Sequence, residues 1–179
     1  MQKGFATLEL IFFVLIISIM TAVAIPQAKN LVERATLDYE QKRLYSELKF
    51  LQTFGRSSSV GDLGMKGSFI GKNNSPMLLI DLLNGKYQIV GNEKVSRKAN
   101  EKAVHEPHYL SNGVKISYAK ANSLRIIFRP DGKIYFNGEE VTSERTLTFK
   151  PQNPKPEMTV PTIVFDSVGR IRGGRTQLP

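Results

Sequence analysis

Hydrophobicity along this chain changes its rhythm twice. From Phe5 to Ile25 it is almost continuous, 21 residues in which Glu9 is the only charge. As a helix rising about 1.5 Å per residue, this stretch spans roughly 31 Å, the depth of a bilayer's hydrocarbon core. Beyond Pro26 the pattern becomes periodic. Leu37, Leu44, Leu48 and Leu51 recur at spacings of seven, four and three, which predicts an amphipathic helix with one apolar stripe. The pairs Lys29/Glu33, Asp38/Lys42 and Arg43/Glu47 stand four apart and suit a solvated face. Phe54-Gly55 predicts the helix end, with glycine as a left-handed cap, and Ser57-Ser58-Ser59 opens a loop.

From about residue 64 the pattern turns to strands. Lys86–Val90 and Val114–Tyr118 are alternating or β-branched runs bounded by glycine and asparagine. Leu124–Phe128 and Lys133–Phe136 flank Pro130-Asp131-Gly132 and predict a hairpin, with Leu124, Ile126 and Phe128 on one face. Thr162–Phe165 and Arg170–Arg172 predict a second hairpin through Asp166-Ser167-Val168-Gly169. The expected fold class is α+β: a long N-terminal helix, half membrane-spanning and half amphipathic, packed on a β-rich globular domain of antiparallel strands. The helix is expected over 5–54, its membrane half over 5–25, and the β-rich domain over 55–179.

Glu9 is the anomaly in this arrangement, because a carboxylate in a membrane helix is costly and needs a reason to be there. A secretory signal peptide would use Lys3 as its positive end, Leu10–Ile17 as its apolar core and Ala22-Val23-Ala24 as its cleavage site. A plain single-span anchor would keep Lys3 cytoplasmic. Neither accounts for Glu9.

Gly4-Phe5, then Glu9, then an apolar run closing at Pro26 resembles the class III leader of type IV prepilins and pseudopilins. The resemblance implies a leader of residues 1–4, cleavage after Gly4 by a membrane peptidase, and N-methylation of the new terminus, Phe5. It also implies that Glu9 is the family's assembly glutamate and Pro26 its helix-kinking proline. A carboxylate in lipid is tolerated beside a positive partner, and the freed amine of Phe5 on a neighbouring subunit would be one. The alternative is that Glu9 snorkels toward the headgroups.

The chain has 179 residues and no cysteine, which leaves room for one globular domain and excludes disulfides, thiol nucleophiles and zinc–thiolate sites. Many major pilins close a C-terminal loop with a disulfide, so the lack of cysteine favours a minor subunit. Net charge is +9, from 25 Lys and Arg against 16 Asp and Glu. Such a surplus favours polyanionic partners, either DNA or anionic envelope polymers.

The order of helix, strands and a closing hairpin that ends in Gly169-Arg170-Ile171-Arg172 resembles the GspH/FimT family of pseudopilins and minor pilins. Ile126–Gly132 and Ile163–Arg170 carry that family's repeated strand, glycine turn and strand, whereas Gly55–Ser111 has no alignable motif. In the FimT branch a C-terminal GRxR motif is associated with DNA binding during DNA uptake, and Gly169 to Arg172 match it. If this segment is extended, Arg170 and Arg172 share a face roughly 6.6 Å apart with Ile171 turned inward, and Gly173-Gly174 lets Arg175 swing beside them. Three guanidiniums would grip phosphates without reading bases. The competing reading is an edge strand that carries charge to block strand addition.

The remaining candidates are weaker. Lys94, Arg97, Lys98 and Lys102 lie in a polar stretch expected to be a solvated loop or short helix. Arg125 and Arg129 share a strand face, most simply the outward one. His105 and His108 lack a third ligand at a recognisable spacing, so no metal and no cofactor is expected. No catalytic motif occurs, and the chain is not read as an enzyme. The resemblance implies a minor pilin or pseudopilin, single-pass in the cytoplasmic membrane and later extracytoplasmic in a pilus or pseudopilus. Its partners would be other pilin subunits, prepilin peptidase, the membrane and DNA. The alternatives are a structural GspH-like pseudopilin of a type II secretion system, without DNA binding, and a membrane-anchored module cut by ordinary signal peptidase.

Overall fold

The computed structural model describes residues 3–57, 77–90, 106–119, 121–129 and 131–178. Ser58 and Ser59, the basic stretch around Lys94–Lys102, His105 and Pro130 lie outside them. The chain divides into two compact units, Met1–Ala35 and Thr36–Pro179. The boundary falls inside a single helix, α1 (Lys3–Ser57).

In the first unit the helix includes Pro26. From Leu8 to Ile25 its large apolar side chains are each 50% to 67% exposed, so the stretch has no packing partner of its own. It is a helix long and apolar enough to cross a membrane. The Ser18 hydroxyl donates to the Val14 carbonyl and the Thr21 hydroxyl to the Ile17 carbonyl, each at 2.7 Å. Both polar groups are therefore satisfied within the helix, as an apolar solvent demands.

Among its described residues, the second unit joins residues 36–57 of α1 to ten strands. They are β1 (Met77–Asp81), β2 (Lys86–Val90), β3 (His108–Tyr109), β4 (Val114–Ser117), β5 (Ser123–Phe128), β6 (Ile134–Phe136), β7 (Glu139–Glu140), β8 (Arg145–Pro151), β9 (Thr159–Phe165) and β10 (Ile171–Gln177). Six form one sheet in the order β3-β2-β1-β5-β6-β7, and four form another in the order β10-β9-β8-β4. Every pairing is antiparallel. The fold class is α+β, as the hydrophobic pattern predicts.

The apolar stripe of the helix is the centre of the core. Leu37, Leu44, Leu48 and Leu51 are each at most 1% exposed. They share one cluster with Leu78, Ile80, Leu124, Ile126 and Phe128 of the larger sheet, and with Leu147, Phe149, Ile163, Phe165 and Ile171 of the smaller. Both predicted hairpins form. β5 pairs with β6 in the register Ile126↔Phe136. β9 pairs with β10 in the register Phe165↔Ile171 through Gly173↔Ile163 to Gln177↔Thr159.

The expected helix end differs. Gly55 lies within α1, which continues to Ser57, and it is not among the residues with positive φ. Its role is close packing: a Cβ there would stand 2.9 Å from the Phe128 carbonyl oxygen and 3.0 Å from its Cβ. Two effects then oppose each other in Gly55→Ala. Helix propensity favours alanine by about 1 kcal/mol, whereas the clash with backbone of β5 costs typically 1–3 kcal/mol. Sterics should win, so urea unfolding of Gly55→Ala is expected to show a net loss of about 1 kcal/mol; a gain would mean that Phe128 moves aside freely.

Candidate functional site

The residues expected to drive assembly all lie on the first unit. Gly4 and Phe5 are in the opening turns of α1, Glu9 is an exposed helical residue, and Pro26 lies inside the helix. Glu9 thus stands in the unpacked apolar stretch, with Leu8 and Leu10 beside it 57% and 65% exposed.

The three candidate arginines do not form one cluster. Arg170 sits in the turn before β10, where its Nε donates to Asp166 Oδ2 at 2.9 Å and its backbone N–H to Asp166 Oδ1 at 2.7 Å. Val168 N–H reaches the same Oδ1 at 3.2 Å. Desolvation raises the Asp166 pKa, but the hydrogen bonds from Arg170 backbone and side chain outweigh it, and the carboxyl is held below its ordinary range. Arg170 therefore clips its own turn.

Arg172 lies one residue into β10, and its NH2 stands 3.6 Å from Glu144 Oε2. Both side chains are more than half exposed, so the pair is weak and readily exchanged. Arg175 does not swing beside the other two. The register that turns Ile171 into the core also gives Gly173 and Arg175 that face, opposite Arg172. There Arg175 donates to Asp38 Oδ2 of α1 at 2.6 Å, and Asp38 takes this partner rather than acting only within its own helix. The glycine of the motif is sterically required. Gly169 has φ +79°, and a Cβ on it would fall 2.0 Å from the Gly132 carbonyl oxygen of the other hairpin turn.

Three more side chains of α1 hold this hairpin in place. Gln41 Nε2 donates to the Thr162 carbonyl at 2.8 Å, the Tyr45 hydroxyl to the Ile171 carbonyl at 3.4 Å, and Gln52 Nε2 to the Gly169 carbonyl.

A second polar cluster escapes the sequence reading. Glu40 is fully buried, and its carboxylate accepts from His108 Nε2 at 2.9 Å, from Ser111 N–H at 3.0 Å and from the Ser111 hydroxyl. The spacing 37-40-44 does place Glu40 on the apolar stripe, which is the signal that would have found it. His108 thus serves an internal carboxylate, and the described residues contain no group of three metal-ligating side chains. Arg125 and Arg129 are both exposed at β5, and the Arg129 guanidinium lies 4.4 Å from the centre of the Tyr135 ring.

No protein-family model matches the chain, and no curated protein and no solved structure matches it either.

Burial alone would raise the Glu40 pKa, but the hydrogen bonds from Ser111 and His108 prevail and depress it below 4.5. A depressed carboxyl contributes stability that is complete above its ordinary pKa and is lost as pH falls through the lower folded value. Wild type is therefore expected to lose unfolding free energy below about pH 4.5. Glu40→Gln should lower stability at pH 7 by on the order of 2 kcal/mol and show a shallower acid limb. Urea titrations at pH 7 and pH 3 check both; an unchanged acid limb would remove Glu40 from the account.

Proposed function

We propose that this chain is a type IV pilin-like subunit, processed after Gly4 and assembled into a pilus or pseudopilus through α1, whose domain binds DNA. The observation that carries this reading is Glu9, the lone acidic residue of the stretch from Phe5 to Ile25, in which the large apolar side chains from Leu8 to Ile25 are each at least half exposed among the described residues. A bare apolar helix is stable in lipid or among like helices, and the carboxylate adds a polar contact that lipid cannot satisfy. An amine on the Phe5 of a neighbouring subunit would satisfy it, which makes assembly favourable where the isolated subunit is not. The α+β domain and the two glycine-turn hairpins agree with the GspH/FimT pattern.

DNA contact is assigned to Arg172 and Arg170, whose guanidiniums are exposed on the closing hairpin. A second reading, a structural pseudopilin without DNA binding, is favoured by the carboxylate partner that each of Arg170, Arg172 and Arg175 has within the chain.

Three measurements test these assignments. Mass spectrometry of the mature protein should find N-methylated Phe5 as its first residue, and a terminus at Ile25 would sink the pilin reading in favour of ordinary signal peptidase. Glu9→Val should leave processing intact and cut incorporation into filaments at least tenfold, read by shearing and immunoblotting. Replacing Arg170 and Arg172 together by Gln should reduce affinity for duplex DNA and flatten its dependence on log salt by about 1 to 2. Wild-type chain that binds no DNA at low salt would leave the structural pseudopilin as the standing reading.

A further inference from the structure

Among the described residues, two lysines of the smaller sheet combine the lack of a carboxylate partner with a position directly opposite one another. Lys115 of β4 and Lys150 of β8 are directly opposed in the antiparallel register, so their side chains project from the same face of the smaller sheet. This is the face opposite Leu147 and Phe149, which are fully buried. Like charges opposed across strands destabilise a sheet, and neither lysine is in an ion pair. Such a pair is tolerated most readily where an anion comes between them.

A cleft of about 320 Å³ lies at this pair, lined by Lys115, Lys150, Ser117, Tyr118, Leu83 and Pro154 among others, with no acidic side chain among the described residues of its wall. Its volume is near the lower end of sites for small organic ligands, about 300–1,000 Å³. Leu83 is 73% exposed at the rim. The cleft therefore offers two ammonium groups beside apolar surface, which suits a phosphate attached to a ring or sugar better than a bare ion.

The same face continues toward the arginines. Ser117 opposes Thr148, and Thr146 follows two residues along β8. Thr146 pairs with Val164, which pairs with Arg172. Arg172 thus lies two strands across and four residues along from Lys150, roughly 16 Å away by ordinary strand spacings, with hydroxyl side chains in the interval. Two cationic stations joined by hydroxyl donors fit a chain of repeated phosphates.

We propose that the outer face of the four-stranded sheet, from the Lys115/Lys150 cleft across Ser117, Thr148 and Thr146 to Arg172, is the track for the phosphodiester backbone of a single DNA strand. This rests on the DNA-binding reading above, keeps Arg172 and moves the main anchor from Arg170 to the two lysines. Phosphate displaces the exposed Glu144 from Arg172, and the lysines gain the counter-charge they lack. Contacts to backbone alone make the binding independent of sequence and dependent on salt.

The test uses full-length protein in detergent micelles and a fluorescent oligothymidylate. Lys115→Gln with Lys150→Gln should weaken binding about tenfold and flatten the log–log salt slope by about 1.4, the loss of two single-strand phosphate contacts. Its thermal midpoint without DNA should be unchanged or higher, since a repulsion is removed. The charge-matched control, Lys86→Gln with Lys133→Gln, removes two cations that pair with Asp81 and Glu140 on the other sheet and should weaken binding less than threefold. In the wild-type chain, bound oligonucleotide should protect Lys115 and Lys150, but not Lys133, from acetylation read by mass spectrometry; this arm needs no variant to fold. Equal losses in both double variants, or unprotected Lys115 and Lys150, overturn the proposed track while leaving DNA binding standing. Inorganic polyphosphate competing as well as the oligonucleotide overturns the choice of nucleic acid. Wild-type binding to duplex DNA but not to oligothymidylate overturns the single-strand track, and absence of wild-type binding to both removes the DNA-binding reading itself.

Discussion

The domain depends on one face of α1. Leu37, Leu44, Leu48 and Leu51 share one buried cluster with two sheets that have no strand in common, so both sheets bury apolar side chains in the same core as this face. Burying four leucines contributes on the order of 6–12 kcal/mol before chain entropy is counted, comparable to the whole net stability of a typical domain. The same helix supplies the polar ties. Gln41, Tyr45 and Gln52 take up carbonyls of the closing hairpin, and Glu40 gathers the short strand β3 and the turn at Ser111. These bonds add specificity of position where the leucines supply affinity.

Positive charge in this chain is abundant, yet the structure separates charge that is committed from charge that is available. Arg170 and Arg175 act first within the fold, one closing a turn and the other joining β10 to α1. Arg172 is only loosely held by an exposed glutamate, and Lys115 and Lys150 face each other without one. Net charge alone would have ranked all five alike. Their electrostatic surroundings give them different roles.

The parts of the fold visible in the sequence were those with a regular period or a specific turn. The leucine stripe and both hairpins followed from spacing and from glycine and aspartate at the bends. β1, with its continuous apolar run Met77-Leu78-Leu79-Ile80, and β8, which alternates through Thr146-Leu147-Thr148-Phe149, carried strand patterns that the turn-led reading passed over. The two-residue strands β3 and β7 are too short for any period and exist because a neighbouring strand offers a ladder. For the site, alternation placed Ile171 inward correctly, but it could not foresee that Arg170 belongs to the turn. The same alternation, carried on to position 175, puts Arg175 opposite Arg172 rather than beside it. The helix end at Gly55 was misplaced because glycine has two uses, left-handed backbone and absent side chain, and the sequence does not distinguish them.

Gly169 supports a broader point about short motifs. It holds a left-handed turn and fits against the Gly132 carbonyl where no side chain can stand, and the adjoining arginine clips that turn through Asp166. Half of Gly169-Arg170-Ile171-Arg172 is therefore demanded by the architecture of two touching bends. Any protein closing its sheet in this way would be driven toward the same letters whether or not it meets a ligand. The pattern works as a marker of geometry, and the chemistry has to be sought in the side chains that the geometry leaves unoccupied.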